Sequence, residues 1–154
     1  MIRKAFFPGS FDPFTIGHFS LVNRALALAG EVIIGVGINE AKNLLLPADK
    51  RVAYIERVFA GEPRVRVVKY DGLTVDAARC EGAAFIIRGV RNNHDFEYER
   101  DIAEINRVLE GVETVLLFSE PALAYISSSM VREIFHFGRD INAYIPIPLE
   151  GDNF

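Results

Sequence analysis

The stretch Val32–Ile38, with the sequence VIIGVGI, carries no charged or polar side chain at any position. A strand that is apolar on both faces is typical of a parallel sheet, because helices cover such a sheet from both sides. Gly30 lies just before this strand, where it ends the helical pattern of residues 17–29. The stretch therefore predicts a buried strand of a parallel sheet.

Short apolar runs alternate with longer segments of helical periodicity along the chain of 154 residues. The alternation predicts an α/β fold: a doubly wound five-stranded parallel sheet, Rossmann-like, with helices on both faces and right-handed crossovers. No linker, repeat or low-complexity segment divides the sequence, so residues 1–154 are expected to form a single domain. The predicted strands are 4–7, 32–38, 65–68, 83–87 and 114–118, and the predicted helices are 17–29, 47–60, 74–81, 95–109 and 128–137.

The composition excludes several classes of protein. A net charge of −4 and a pI of about 5.4 leave no global basic field for nucleic acid, although local Lys and Arg could bind a small anion. Cys80 is the only cysteine, which rules out an intramolecular disulfide and a cysteine-rich zinc site. No apolar run approaches the roughly 20 residues of a membrane span, and Pro8 and Gly9 interrupt any signal peptide. We therefore expect a cytoplasmic protein with no nucleic acid and no membrane partner.

Ligands of open parallel sheets bind beyond the carboxyl ends of the strands, so polar residues at those positions are candidates for function. Pro8 and Gly9 are expected to stop the first strand, and Ser10 and His18 follow it. His18 falls in the first turn of the next helix, where unpaired N–H groups favour phosphate. Taken alone, His18 could equally be a residue that only caps or packs at the helix start.

Basic and hydroxyl residues follow three further strands. Lys42 comes after the second strand, where a lone lysine is most often a solvated loop residue, and Arg88 and Arg91 come after the fourth. Arginine forks suit phosphate oxygens. Ser127–Ser129 follow the fifth strand; one of these serines is expected to cap the next helix, and the others offer hydroxyls to a ligand. Together the four strand ends predict a pocket for several phosphates, with no cluster of carboxylates to cage a metal.

Two groups of residues extend this prediction to a family. Residues 8–18, with the sequence PGSFDPFTIGH, resemble the opening signature of the T/HxGH nucleotidyltransferases. Four later segments resemble, in order and spacing, those of bacterial phosphopantetheine adenylyltransferase, and the resemblance runs from residue 4 to about residue 146. These segments are Ile87–Arg91, Asp95–Glu99, Asn106–Arg107 and Tyr125–Ser129.

The resemblance implies an enzyme that transfers the adenylyl group of ATP to 4′-phosphopantetheine, giving dephospho-coenzyme A (dephospho-CoA) and pyrophosphate, the penultimate step of coenzyme A (CoA) synthesis. It also implies Mg²⁺ held mainly through the ATP phosphates, CoA as a feedback ligand, and a homohexamer built as a dimer of trimers. The acceptor brings its own nucleophile, a phosphate oxygen. The protein therefore has to supply positioning and charge stabilisation, which a histidine, a lysine and arginine forks can provide.

The resemblance also implies roles for individual residues. His18, Lys42, Ser10 and Arg91 are implied as catalytic: His18 contacts the α-phosphate, and Lys42 and Ser10 hold the attacking phosphate. Substrate binding is implied for Ser10, Lys42, Leu73, Thr74 and Arg88, with Leu73 and Thr74 along the pantetheine arm. ATP binding is implied for Ser10, Phe11, His18, Gly89, Val90, Arg91, Glu99, Ala124, Tyr125, Ile126, Ser127, Ser128, Ser129 and Met130.

The chain departs from the family pattern at three positions. Ser10 stands where the family usually has Thr, Phe7 replaces a frequent Tyr, and Leu123 falls where some members carry Trp near the adenine. Two other functions stay open at this point. One is a different T/HxGH enzyme, similar to glycerol-phosphate cytidylyltransferase or to nicotinamide-mononucleotide (NMN) adenylyltransferase. The other is a non-catalytic module that binds adenylates or CoA.

The helix predicted over residues 95–109 is more apolar than a surface helix requires. Excess apolar surface is typical of an interface between chains. The alternative is a monomer in which a loop or the C-terminal segment Tyr144–Pro148 covers the helix. The predicted core stripe consists of Tyr98, Ile102, Ile105 and Leu109, and Phe96, Ala103 and Val108 widen it.

Overall fold

The computed structural model describes residues 2–38 and 44–150 of the chain. Within these ranges, strands and helices alternate in the order that the sequence predicts, and no helix is long and apolar enough to span a membrane. The strands are β1 (Lys4–Gly9), β2 (Glu31–Gly37), β3 (Val65–Tyr70), β4 (Phe85–Val90) and β5 (Glu113–Phe118). The helices are α1 (Ile16–Ala25), α2 (Ala48–Val58), α3 (Thr74–Cys80), α4 (Asn93–Glu110) and α5 (Ser128–His136), with 3₁₀ turns at Pro121–Leu123 and Asn142–Tyr144.

All strand pairs of the sheet are parallel, and the strand order is β3-β2-β1-β4-β5. The chain therefore starts in the middle of the sheet, builds outward through β2 and β3, and returns to the other side of β1 through β4 and β5. This order confirms the predicted doubly wound, Rossmann-like α/β fold. The direction of winding switches between β1 and β4, which is where such sheets bind ligands.

Two apolar clusters cover the two faces of the sheet. The larger cluster joins Phe7 and Ile34 to residues of α1 and α2, and the smaller one joins Phe6 and Ile33 to residues of α3. Alternate residues of the same strands point to opposite faces, so β1 and β2 contribute to both clusters. The stretch Val32–Ile38 is confirmed as a strand buried on both faces over most of its length.

The first strand extends through Pro8 and Gly9, so the prediction that these residues stop it is wrong. Both residues pair with β2, where Pro8 lies opposite Gly35. The backbone carbonyl of Pro8 faces β4 instead and accepts a hydrogen bond from the Arg88 side chain at 2.8 Å. The ladder between β1 and β4 ends two residues earlier, at Phe6. Pro8 is tolerated in a central strand because the N–H that it lacks would have had no strand partner on that side.

Helix α1 ends at Ala25, four residues before its predicted end at residue 29. The next residues form tighter turns, in which Leu28 N–H donates to the carbonyl of Ala25 at 2.9 Å. Such turns change the direction in which successive side chains point. Leu28 is therefore exposed, although it lies within the predicted helix 17–29.

Helix α4 buries a different face from the one that its sequence predicts. Tyr98, Ile105 and Leu109 of the predicted core stripe are exposed, and the buried residues of the helix are Glu99 and Asn106. The prediction fails because the helix turns the carboxylate of Glu99 toward a guanidinium on β4. An ion pair thus decides which side of α4 meets the sheet.

The C-terminal segment does not cover the apolar side of α4. Ile145 packs with Ile126 and Val131 beside α5, and the carbonyl of Ile147 accepts a hydrogen bond from the Tyr54 hydroxyl of α2 at 2.7 Å. The apolar side of α4 is exposed in the presence of all the described residues. Coverage of α4 by the C-terminal segment Tyr144–Pro148 is therefore excluded as an explanation for a monomer.

Candidate active site

A cavity of about 370 Å³ opens between the carboxyl ends of β1 and β4, at the point where the winding switches. Its walls also include the start of α1, one side of α4 and the N-terminus of α5. A more open groove of about 500 Å³ lies beside Leu44, Leu45 and α5, and its lining includes no strand end. The predicted residues that line the cavity are Ser10, Phe11, His18, Arg88, Gly89, Arg91, Glu99, Ile126, Ser127, Ser128 and Ser129.

The loop between β1 and α1 has an uncommon backbone conformation. Phe11 has a φ of 52°, in the left-handed region that non-glycine residues seldom adopt. Its ring lies over Gly9, where a Cβ would come within 2.7 Å of the ring carbons. Gly9 is therefore required for the ring to pack there. The same ring meets the His18 imidazole edge to face, with centroids 5.1 Å apart.

Thr15 determines the tautomer of His18. The backbone N–H of Thr15, which can only donate, points at Nδ1 of His18 at 3.0 Å. Nδ1 must therefore be the unprotonated nitrogen, and the proton of the neutral ring lies on Nε2. The Thr15 hydroxyl caps α1 and lies 3.2 Å from the same Nδ1. His18 thus reaches the cavity as a neutral ring that can donate one hydrogen bond from Nε2.

The surroundings of His18 oppose a positive charge on its ring. Burial, together with the smaller effect of the nearby guanidinium groups of Arg88 and Arg91, lowers the pKa of His18 to about 3. The rings of Phe7, Phe11 and Phe14 surround the imidazole. These apolar neighbours cannot solvate an imidazolium ion, so the ligand-free site holds a neutral histidine at neutral pH.

Arg88 lies within β4, not after it as the sequence predicts, because β4 continues to Val90. Its Nε and one terminal nitrogen donate to the two carboxylate oxygens of Glu99 at 2.8 and 2.7 Å. The other terminal nitrogen donates to the Pro8 carbonyl. Burial opposes the charge of Arg88, but the Glu99 carboxylate outweighs this effect and raises the guanidinium pKa. Arg88 is therefore a fixed cation on the floor of the cavity.

Arg91 follows β4, as predicted, and is more exposed than Arg88. The Asp95 carboxylate accepts from both the backbone N–H and Nε of Arg91 at 3.0 Å. Burial opposes ionisation of Asp95, but these hydrogen bonds hold its pKa below the usual range. Asn92 caps α4 through the Asp95 N–H. The start of α4 thus orients the second arginine.

The three serines divide their tasks. Ser127 caps α5 by accepting from Met130 N–H at 3.1 Å, which is the structural role expected for one of them. Ser128 donates to the Pro13 carbonyl at 2.8 Å, and the Ser129 hydroxyl accepts from Arg132 at 3.1 Å. The first turn of α5, where a helix carries positive partial charge, lines the same cavity as these hydroxyls.

Arg132 is a third cavity arginine that the sequence argument missed. It donates to the Asp12 carbonyl at 2.7 Å as well as to Ser129. The signal was available: Arg132 follows Ser128 and Ser129 by four and three residues, so all three lie on one side of a helix. Strand ends alone could not reveal it, because Arg132 lies one turn inside α5.

Several other predicted residues lie elsewhere. Leu73 is exposed ahead of α3, and the hydroxyl of Thr74 pairs with the Tyr70 hydroxyl at 2.9 Å. Lys42 falls outside the residues that the structure describes. The predicted ATP-binding residues that do not line the cavity are Val90, Ala124, Tyr125 and Met130.

The lining of the cavity carries more positive than negative side chains. The lining carboxylates, Glu99 and Asp95, are both engaged by arginines, while the partners of Arg132 among the described residues are neutral oxygens. Among residues 2–38 and 44–150, no three His, Cys, Asp or Glu residues are grouped as metal ligands. The arrangement suits a ligand that carries several negative charges.

Sequence comparison identifies the family. Residues 6–134 match the family described as cytidylyltransferase-like. A phosphopantetheine adenylyltransferase from Phocaeicola vulgatus is 57% identical over 145 residues, 94% of this chain and 96% of that protein. One from Bacteroides fragilis is 53% identical over 149 residues, 97% of this chain and 99% of that protein. The chain belongs to the phosphopantetheine adenylyltransferase family. It is a nucleotidyltransferase.

Solved structures of more distant proteins share the fold of this phosphopantetheine adenylyltransferase family member. A bifunctional NMN adenylyltransferase/ADP-ribose pyrophosphatase from Francisella tularensis has a TM-score of 0.68 at 18% identity, over 95% of this chain and 45% of that one. A lipopolysaccharide core biosynthesis protein from Thermoplasma volcanium has a TM-score of 0.59 at 17% identity, over 78% of this chain and 98% of that one. At these identities the likeness concerns the fold alone.

We expect His18 of the ligand-free adenylyltransferase to stay neutral between pH 8 and pH 5, because its pKa in the folded chain is about 3. Imidazole ¹⁵N NMR spectra should show Nε2 protonated and Nδ1 unprotonated throughout this range. Because the pKa of His18 in the folded chain lies below the unfolded value near 6.5, the contribution of this residue to the free energy of unfolding is complete above pH 6.5. That contribution is lost as the pH falls towards 3, by up to about 2 kcal/mol at pH 5. A ring that titrates near pH 6.5 would contradict this expectation.

Proposed function

We propose that this chain transfers the adenylyl group of ATP to 4′-phosphopantetheine, giving dephospho-CoA and pyrophosphate. The observation that carries the proposal is the cavity at the β1–β4 switch, where His18 and three arginines converge. The identity of 57% to a phosphopantetheine adenylyltransferase over almost the full length of both chains supports the choice of substrates. The exchange is a single displacement at phosphorus that needs no nucleophile from the protein.

In the proposed reaction, a phosphate oxygen of 4′-phosphopantetheine attacks the α-phosphorus of ATP. A new P–O bond forms, and the bond from the α-phosphorus to the bridging oxygen breaks, so pyrophosphate leaves with that electron pair. Negative charge builds on the oxygens of the α-phosphate during the exchange. A neutral His18 that donates from Nε2 stabilises this charge without losing its proton.

The fixed cations of the cavity are assigned to different phosphates. Arg88, anchored on the floor, is proposed to hold the acceptor phosphate together with Ser10 and Lys42. Arg91 is proposed to contact the leaving phosphates of ATP, and so is Arg132 beside the α5 serines. The remaining ATP-binding roles are proposed for Phe11, Gly89, Val90, Glu99 and residues 124–130.

The metal requirement is proposed to be met through the nucleotide. Among the described residues, the carboxylates that line the cavity, Asp95 and Glu99, already pair with arginines and are not free to hold a cation. Mg²⁺ would therefore be held by ATP phosphates and water, where it would neutralise charge on the leaving pyrophosphate. CoA, which contains the product dephospho-CoA, is proposed to compete for the same cavity as a feedback ligand.

Replacing His18 tests the function directly. His18→Ala should lower kcat by about 10²–10³-fold because it removes one donor to the developing charge. ATP binding, measured by calorimetry, should change little. The assay measures pyrophosphate release, with ATP or CTP as the nucleotide donor and 4′-phosphopantetheine, NMN or glycerol phosphate as the acceptor. His136→Ala, at an exposed histidine, is the control. Two outcomes would contradict the proposal. One is faster turnover of the unsubstituted protein with CTP or with another acceptor, and the other is a kcat of His18→Ala within a few-fold of that of the unsubstituted protein.

The two β4 arginines should separate the two substrates. Arg88→Gln should weaken 4′-phosphopantetheine more than ATP, and Arg91→Gln should do the reverse, by about 10–100-fold for a lost charge-assisted contact. Calorimetry with each ligand measures the effects, and Arg64→Gln, at an exposed and remote arginine, is the control. Circular dichroism checks the fold, since Arg88→Gln leaves Glu99 without its partner. Equal losses for both ligands would contradict the division.

The apolar side of α4 is proposed to form an interface in a homohexamer built as a dimer of trimers. Val108 is 70% exposed and Tyr98 is 62% exposed, and the C-terminal segment does not cover them. Such a patch favours association of like chains in closed symmetry.

Light scattering at micromolar concentration should give six times the chain mass of 17.2 kDa. Val108→Glu should lower the mass, because it places a charge in the proposed interface, whereas Leu28→Glu, at an exposed leucine outside α4, should not. A mass near one chain would contradict the assembly. A mass of three chains would contradict only the pairing of two trimers into a hexamer.

A further inference from the structure

A buried arginine outside the cavity lining has no part in the mechanism above. Arg51 of α2 is 2% exposed, yet within the described part of the chain its guanidinium donates to backbone carbonyls and to no carboxylate. Its acceptors are the carbonyls of Ser10 at 2.6 Å, Gly37 at 3.0 Å and Leu46 at 3.0 Å. These three carbonyls belong to the loop after β1, the end of β2 and the approach to α2. One side chain thus joins the two strand ends on one side of the cavity.

The charge that balances Arg51 comes from Asp12, which is 0% exposed. Its two carboxylate oxygens accept from the backbone N–H groups of Leu45 at 2.6 Å and Leu46 at 2.8 Å. Burial lowers the pKa of Arg51, and the Asp12 charge acts against this effect. Buried charges are tolerated when an opposite charge and hydrogen-bond partners are close by. Arg51 and Asp12 together therefore form a neutral anchor beside the loop after β1.

The hydrogen bond from Arg51 to Ser10 fixes the orientation of the peptide that follows. The Ser10–Phe11 peptide bond is trans, so the Phe11 N–H points away from the carbonyl that Arg51 holds. No described residue accepts a hydrogen bond from this N–H. Ser10 and Phe11 both line the cavity, whereas Arg51 does not. The left-handed φ of Phe11 also costs energy, so the loop needs an external anchor to keep this conformation.

We propose that Arg51 is a positioning residue: it sets the plane of the Ser10–Phe11 peptide so that the Phe11 N–H is presented to a phosphate oxygen in the cavity. The proposal rests on the adenylyl transfer proposed above. Arg51 touches neither substrate and acts through the backbone of the loop. Its donors are arranged as a planar fork that reaches three carbonyls, which the compact ammonium of a lysine on its flexible stem does not reproduce.

Tyr54 offers a matched control on the same helix. It is also buried, and its hydroxyl makes hydrogen bonds to the backbone of Ile147, a segment outside the cavity lining. Tyr54→Phe removes buried hydrogen bonds from α2 without touching the loop after β1. A variant of Arg51 that acts only through stability should therefore behave like Tyr54→Phe when both are folded.

Arg51→Lys keeps the positive charge opposite Asp12 and is compared with Tyr54→Phe at a temperature where circular dichroism shows both folded. We expect Arg51→Lys to lower kcat by about 10²-fold, as a misplaced loop does, and Tyr54→Phe to stay within about twofold of the unsubstituted protein. Equal kcat values for the two variants would overturn the positioning role. If the unsubstituted protein fails to turn over, the proposed function fails, and the positioning role, which rests on it, falls with it.

A second measurement uses the unsubstituted protein and so does not depend on whether a variant folds. In ¹⁵N–¹H spectra of the unsubstituted protein, the Phe11 amide should move downfield when ATP is added, because its proton gains a charged acceptor. In Arg51→Lys, where this variant folds, the shift should be smaller at the same ATP occupancy. A Phe11 amide that does not respond to saturating ATP would overturn the proposal, whatever the kinetic result.

Discussion

The hydrogen-bonded ladder between β1 and β4 contains only the pairs Ala5–Phe85 and Phe6–Ile86, and beyond them the two strands separate. On its other side β1 pairs with β2 down to Gly9. The early end of one ladder opens the crevice in which the cavity lies. It also allows Pro8 into a central strand, and it leaves a strand carbonyl free to accept from Arg88. The floor of the site is thus built where sheet pairing stops.

The ion pair of Arg88 and Glu99 lies at this gap and joins β4 to α4, which sets how α4 packs. Because the carboxylate has to reach the guanidinium, the helix turns its polar residues Glu99 and Asn106 inward and its apolar residues outward. The same contact places a cation beside His18 and helps to keep that ring neutral. One charged contact therefore links the crevice, the packing of a helix and the protonation state of the histidine.

The sequence allowed the fold class and many of the residues that line the cavity to be predicted, because apolar runs and strand ends are local signals. The buried run Val32–Ile38 indicated a parallel sheet, and the residues after the strands led to His18 and Arg91. Features that depend on contacts between distant segments were not accessible. The inward turn of Glu99 contradicts the apolar periodicity of its helix, and the hydrogen bond from Arg132 to the Asp12 carbonyl joins α5 to a loop that is distant in the sequence. Likewise, the tautomer of His18 follows from the direction of one N–H bond.

The cavity arginines are each bound to oxygens of the protein itself: Arg88 to Glu99 and Pro8, Arg91 to Asp95, and Arg132 to Asp12 and Ser129. A free arginine on a surface samples many rotamers and loses about 2 kcal/mol of entropy when a ligand fixes it. Here folding has already restricted that motion. Phosphate groups therefore meet an electrostatic field that is in place before they arrive, and little of their binding energy is consumed in ordering the side chains that receive them.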